Sequence, residues 1–170
     1  MSTSSPDLYN TTGIRLPKGA SVVIVITEWN AASIAKLADG CKKVLGEHGV
    51  YYKIITVPGA FEIAHAIKNY WDAFKYRDDR PHAFITLACV VRGGTPHFDY
   101  VCKAVTDGVV QLNLLLPVPT IFGVLTVDNQ QQIDDRTGGA QGHKGEEAGI
   151  TAVKMIALKH SFSLQNKVPA

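Results

Sequence analysis

The run Val22-Val23-Ile24-Val25-Ile26-Thr27 is the feature that most constrains what this chain can become. It is apolar and β-branched throughout, with no polar residue alternating along it. A strand half exposed to water would alternate, so an unbroken run fits a strand covered on both faces. Covering both faces takes helices on both sides, which makes a parallel α/β sheet the natural frame. The following segments keep that rhythm. Ile34, Leu37, Ala38, Cys41, Val44 and Leu45 recur at helical spacing, with Ser33 as candidate N-cap and Gly46 and Gly49 marking the end. Residues 51–57 read as a second strand closed by Pro58-Gly59, and residues 61–76 as a helix. Residues 83–91 read as a third strand, and Val101, Val105, Val109 and Leu112 form a helical stripe that Pro117 and Pro119 break. Residues 120–127 read as a fourth strand, 129–136 as a short helix, 137–145 as a glycine-rich loop and 146–160 as a final helix. The predicted fold class is α/β, a three-layer sandwich with a four-stranded parallel sheet between helices.

The 170 residues, 46% of them hydrophobic, suffice for one core and one domain. The expected organisation is an N-terminal arm over 1–20, a single α/β domain over 21–164 and a tail over 165–170. The arm is polar, carries Pro6 and Pro17, and is punctuated by Leu8, Tyr9, Ile14 and Leu16. It is expected either as a loose tail or as a strand added to a neighbour's sheet edge. Charged residues make up 19%, below the roughly 25% of an average soluble chain, as fits surface buried against copies of itself. A net charge of +2 without clustered Lys and Arg gives no nucleic-acid footprint. No apolar run approaches the about 18 residues of a membrane span. Cys41, Cys89 and Cys102 form no C-x-x-C pair, sit among apolar residues and read as buried free thiols of a reducing compartment. With no signal-like segment in MSTSSPDLYN, the expected location is cytoplasmic.

In open α/β sheets ligands bind beyond the carboxyl ends of the strands, and those ends here are chemically unusual. The first carries Glu28-Trp29-Asn30, the second Pro58-Gly59-Ala60-Phe61-Glu62, the third Arg92-Gly93-Gly94-Thr95-Pro96-His97, and the fourth Asp128-Asn129 after Phe122. A Gly-Gly joint leading into a helix offers bare backbone N–H groups and a positive dipole, which suit phosphate or carboxylate. Thr95 adds a hydroxyl, and His97 can exchange protons near neutral pH. The same joint would serve as a tight turn capped by a histidine. Trp29 is suited to stack on a flat heterocycle, or to fill an interface. Arg136 and Lys144 flank the glycine-rich loop, either as an anion site or as solvated cations. Glu62 at a helix start is favoured by the dipole whether or not it binds anything. The remaining histidines show no metal-ligand spacing, and zinc, nucleophile-elbow and Walker motifs are absent from the sequence.

Taken in order, the segments EWN (28–30), VPGAFEI (57–63), VVRGGTPHFDYV (90–101), IFGVLT (121–126) and DRTGGAQGHKG (135–145) resemble the lumazine synthase family over residues 21–160. The resemblance implies a flavodoxin-like fold and the penultimate step of riboflavin biosynthesis. In that step 5-amino-6-(ribitylamino)uracil condenses with 3,4-dihydroxy-2-butanone 4-phosphate to 6,7-dimethyl-8-ribityllumazine, releasing phosphate and water, with no metal or organic cofactor. It also implies roles. His97 matches the histidine assigned to proton transfer. Trp29, Asn30, Ala60, Phe61 and Glu62 match the pyrimidine and ribityl contacts, and Cys89, Val90 and Val91 the strand end offering backbone groups. Gly94, Thr95 and Arg136 match the phosphate site, and Lys144 a lysine near both substrates. Phe122 matches an aromatic that reaches a neighbouring subunit's site.

Trp29 stands where many members carry phenylalanine, and Gly94 and Pro96 vary the turn around Thr95. The family assembles as homo-oligomers, pentamers at least and in some members icosahedral shells of sixty subunits, with riboflavin synthase as a partner. The short loop between Arg136 and Lys144 resembles that of shell formers. Two other classes compete: a flavin- or lumazine-binding module without turnover, and a purely structural shell protein. Against the first stands the presence of both His97 and Arg136, and the second would not need Trp29, Glu62, Thr95, His97 and Arg136 together.

Overall fold

The uninterrupted apolar run does become a strand buried on both faces. The computed structural model describes residues 6–165, so the first five residues of the arm and residues 166–170 of the tail lie outside the described residues. Strands β1 (Ser21–Thr27), β2 (Tyr51–Val57), β3 (Ala83–Val91) and β4 (Thr120–Val127) form one parallel sheet in the order β2-β1-β3-β4. Helices α1 (Ala31–Glu47), α2 (Ile63–Phe74), α3 (His97–Leu115), α4 (Gln130–Arg136) and α5 (Lys144–Gln165) complete the layers.

Side chains of successive strand residues go to opposite faces, so each buried strand feeds two cores. On one face Val22, Ile24, Ile85, Leu87, Ile121 and Leu125 meet Leu37, Cys41 and Leu45 of α1 and Ala152, Val153 and Ile156 of α5. On the other, Val23, Val25, Phe84, Ala88 and Val124 meet Ile63, Ile67 and Trp71 of α2 and Val105 and Leu112 of α3. The two central strands are buried along nearly all their length. Edge strand β2 instead leaves Tyr51, Tyr52 and Ile54 exposed. Helices α1 and α5 pack closely because Gly145 lies against the Leu37 carbonyl, where a Cβ would collide.

Several local expectations are corrected. Ser33 is not the N-cap of α1; it lies inside the first turn, buried, and Asn30 precedes the helix with φ 61°. The left-handed residue turns the chain so sharply that the helix starts earlier than its apolar stripe suggests. Helix α2 is preceded by a 3₁₀ turn at Ala60–Glu62 and ends at Phe74 rather than at residue 76. The glycine-rich segment is not merely a loop, because Thr137–Gly139 (β5) and Gly142–His143 (β6) pair as a small antiparallel hairpin. Helix α5 therefore begins at Lys144 and runs to Gln165. Cys41 and Cys89 are buried, whereas Cys102 is only half-buried, and all three thiols are free. The arm contributes to its own chain: Ile14 and Leu16 pack against the α1–α5 core, and Lys154 Nζ donates to the Asp7 carbonyl at 2.9 Å.

His82 braces the other end of the sheet. The Ser21 N–H donates to its Nδ1 at 3.2 Å, and the His82 N–H donates to the Ser21 carbonyl at 2.7 Å. Burial, followed by the charges of Arg80 and Lys159, holds its pKa below the ordinary 6.5. The unfolded chain therefore binds the extra proton. This group's contribution is whole above pH 6.5 and is lost as pH falls through the lower folded value. His82→Asn, which keeps an acceptor for the Ser21 N–H, should flatten the fall in melting temperature between about pH 7 and 5. Equal acid slopes for variant and wild type would show that His82 does not carry this dependence.

Candidate active site

The chain enters the sheet at β1, moves outward to β2, then crosses back to β3 beside β1. This reversal separates the turns leaving β1 and β3 and opens a crevice at the carboxyl ends. A cleft of about 500 Å³ occupies it, lined by Thr27, Trp29, Asn30, Gly59, Ala60, Phe61, Glu62, Cys89, Val90, Val91, His97 and Val101. The structure thus brings together the sequence candidates Trp29, Asn30, Ala60, Phe61, Glu62, Cys89, Val90, Val91 and His97.

The turn after β1 is pinned on both sides. Glu28 N–H donates to the Val57 carbonyl at 3.0 Å, and the Thr27 hydroxyl donates to the Trp29 carbonyl at 3.2 Å. Asn30 Nδ2 donates across the crevice to the Cys89 carbonyl at 2.7 Å, joining the ends of β1 and β3. Val90 and Val91 run on past the end of β1, paired with Thr126 and Val127 of β4, and both line the cleft. Gly59 lets the wall stay thin, since a Cβ there would lie 3.1 Å from Glu62 Oε2 and 3.5 Å from Trp29 Cδ1. Trp29 and Phe61 are 73% and 66% exposed, so two large rings present open faces at the rim. Cavities with apolar aromatic walls and a few polar groups suit flat heterocycles. The Cys89 thiol is pushed up to about 11 by burial. It is protonated at neutral pH and not a nucleophile.

His97 is the first residue of α3, so the bare turn before it delivers it to the cleft. Gly93 and Gly94 have ordinary φ, and a Cβ on either would meet nothing within 4 Å. Folding of the chain alone does not demand glycine there, and the turn is left open for whatever approaches it. Gly94 and Thr95 lie beyond the cleft wall, exposed.

The remaining candidates lie elsewhere. Phe122 and Lys144 line a second groove of about 440 Å³ along β4 and α5, with Leu8, Gly123, Glu147 and Met155 among its other walls. Glu147 was missed by the sequence reading. It holds Lys144 Nζ at 2.7 and 2.8 Å to its two oxygens, and its i,i+3 spacing from Lys144 in a helix was the available signal. Arg136 ends α4, donates to the Gln132 carbonyl at 3.0 Å, and enters neither recess. Among the described residues no group of three His, Cys, Asp or Glu side chains is placed to hold a metal ion. No described helix is long and apolar enough to cross a membrane.

Comparison with known proteins adds a second line. The family model described as 6,7-dimethyl-8-ribityllumazine synthase matches residues 19–160. The chain belongs to this family. Proteins named 6,7-dimethyl-8-ribityllumazine synthase show the same relation. That of Parabacteroides distasonis is 47% identical over 139 residues, covering 80% of this chain and 84% of that protein. That of Bacteroides fragilis is 43% identical over 143 residues, covering 82% and 96%. That of Cytophaga hutchinsonii is 43% identical over 162 residues, covering 92% and 98%. The matched span takes in every strand of the sheet, the whole cleft and all of the second groove's walls except Leu8, so the family relation and the cleft concern the same residues.

The Asn30 bridge is testable without any ligand. Asn30→Gly keeps the left-handed turn and loses one buried-side bond, worth about 1 kcal/mol. Asn30→Ala loses the bond and adds about 1–2 kcal/mol of backbone strain. Melting temperatures at equal subunit concentration should fall in the order wild type, Gly, Ala. An alanine variant as stable as the glycine one would remove strain from the account.

Proposed function

We propose that this lumazine synthase family member condenses 5-amino-6-(ribitylamino)uracil with 3,4-dihydroxy-2-butanone 4-phosphate in the cleft between β1 and β3, and that a neighbouring subunit completes the site. The observation that carries the reading is the cleft itself: two exposed aromatic faces, an acid and one histidine at a sheet switch point. Trp29 and Phe61 sandwich or flank the pyrimidine. Glu62 and the ends of Val90 and Val91 hold its polar edge and the ribityl chain. The Gly94-Thr95 turn and Arg136 hold the phosphate by charge-assisted bonds.

Imine formation, phosphate elimination, ring closure and dehydration each move protons, and His97 serves those transfers. Holding two substrates in register supplies more, on the order of 7–11 kcal/mol when well oriented. Two features support a shared site. Phe122 and Lys144 line a groove apart from the cleft, on the β4 side. The chain also exposes apolar surface on α3 at Val110, Leu114 and Leu115 and on α5 at Leu158 and Phe162, more than a lone subunit would keep. A ring of five subunits would lay one subunit's β4 groove against the next one's cleft. The exposed edge of β2 is open to a strand from a neighbour, and for the arm to supply it the arm would have to leave its own α1–α5 core. The short β5–β6 hairpin suits further closure into an icosahedral shell, with riboflavin synthase as its enclosed partner. The three free thiols support a cytoplasmic setting.

Formation of the fluorescent lumazine from the two substrates tests the reaction directly, and its absence in the assembled protein would overturn the reading. Arg136→Ala should raise KM for the butanone phosphate about 10- to 100-fold, since such bonds are worth about 1.5–3 kcal/mol. An unchanged KM would remove Arg136 from the phosphate site. His97→Ala should lower kcat by at most about 10²-fold, because positioning survives. Mixing dissociated His97→Ala and Phe122→Ala subunits and reassembling them should restore part of the wild-type rate, through sites that pair one subunit's intact cleft with the other's intact groove. A mixture no better than the average of the two variants would show that each chain owns its whole site.

A further inference from the structure

Arg92 follows β3 and stands outside the cleft, yet it touches everything that frames the turn before His97. Its own N–H donates to the Val127 carbonyl at 2.8 Å, carrying the β3–β4 ladder one step past the strand. Its Nε donates to Asp128 Oδ1 at 2.9 Å, and its Nη1 to Asp99 Oδ1 at 3.2 Å in the first turn of α3. Its guanidinium lies over the Phe98 ring, 4.1 Å from the centroid. One planar cation thus grips the two residues that follow His97 and ties them to the end of β4.

The chain of contacts continues past Asp128. The Asp128 N–H donates to Gln132 Oε1 at 2.9 Å, and Gln132 Nε2 makes a longer contact, 3.5 Å, back to Asp128 Oδ2. The Gln132 carbonyl accepts from Arg136 Nη1 at 3.0 Å. The Gly94-Thr95-His97 turn and Arg136, which come from different crossovers, are therefore joined through Arg92, Asp128 and Gln132. The ion pairs are about half exposed, with side-chain exposures of 45% for Arg92, 57% for Asp128 and 62% for Asp99. Pairs so open to water add little to stability. What they supply is geometry: a fork and a flat face allow one arrangement where a lysine would allow many.

We propose that Arg92 is a positioning residue that sets the separation between the His97 turn and Arg136, and so acts on the phosphate-bearing substrate without touching it. This rests on the functional reading above. The turn offers N–H groups and a hydroxyl, and Arg136 offers a guanidinium. A phosphate held by both needs them at one spacing; Ile133 and Val127 anchor α4 and the end of β4 in the core, whereas residues 92–97 of the turn are exposed. The Arg92–Asp128–Gln132 link is what spans the gap.

The test uses the assembled full chain and four proteins: wild type, Arg92→Ala, Asp128→Ala and the double variant. Inorganic phosphate affinity is measured by calorimetry, and kcat and KM by lumazine fluorescence. Both single variants should weaken phosphate binding and raise KM for the butanone phosphate about tenfold, with KM for the pyrimidine held. The double variant should be no worse than either single one, because both break the same link. Melting temperature and sedimentation should match wild type, and Arg92→Lys should recover little. The proposal is overturned if Arg92→Ala stays within twofold of wild type in phosphate affinity. It is equally overturned if Asp128→Ala leaves that affinity intact while Arg92→Ala loses it, which would make Arg92 a direct phosphate ligand. Parallel loss of assembly and phosphate binding would reduce Arg92 to a structural support. The calorimetric result stands whether or not turnover is seen, so failure of the link and failure of the assigned reaction are read separately.

Discussion

A parallel sheet covered on both faces can meet water only at its ends and edges, and the rest of this structure follows from that restriction. With Val22, Ile24 and Val25 and then Phe84, Ile85 and Leu87 committed to two cores, the polar side chain buried among them mid-strand, Thr86, is already bonded to the Ile121 carbonyl at 3.0 Å. Backbone groups there are spent on the ladder. At the carboxyl ends the ladder stops, helices begin, and N–H and carbonyl groups come free within a few residues of one another. Trp29, Glu62 and His97 reach a common cleft because the three crossovers leave the sheet at that end.

Holding the cleft open is a separate problem from building the sheet. The turns leaving β1 and β3 diverge at the switch point, and packing alone would let them drift. The left-handed Asn30 and its bond to the Cys89 carbonyl pin one side. The Arg92 contacts to Phe98, Asp99 and Asp128 pin the other. Both devices are inexpensive in stability and specific in direction, as suits a rim that must admit ligands. The bare Gly93-Gly94 turn lies between them, open where neither the fold nor the pins require it to be closed.

Family membership and the single-chain geometry bear on the alternatives in different ways. A binding module without turnover would want the aromatic cleft but has no use for a histidine at its mouth. A shell protein would want the exposed apolar surfaces of α3 and α5 but not the cleft. This chain has both, and Phe122 with the Lys144–Glu147 pair stands ready on a different wall. The cleft and the β4 groove lie on different walls of one chain.

The order of elements, the four strands, the two-sided cores and the residues at the strand ends were legible in the sequence. Strand burial and helix stripes leave periodic marks that need no tertiary information; residues 83–91 carry them almost without interruption, while residues 51–57 were legible from their β-branched and aromatic content although the strand lies exposed at the sheet edge. The strand-end residues were legible because turns tolerate most side chains, so aromatics, acids and a histidine gathered there stand out. Ser33 misled because a serine beside an apolar stripe looks like a cap, whereas the start of α1 was decided by a left-handed Asn30 bonded to a strand 59 residues away. The β5–β6 hairpin was hidden because its residues are glycine-rich and its strands too short for any period to show. Only the tertiary structure separated Phe122 and Lys144 from the cleft, and only it joined Arg92 to Arg136. Spacing along the chain records which way one element faces, but not the distance between side chains brought together by different crossovers.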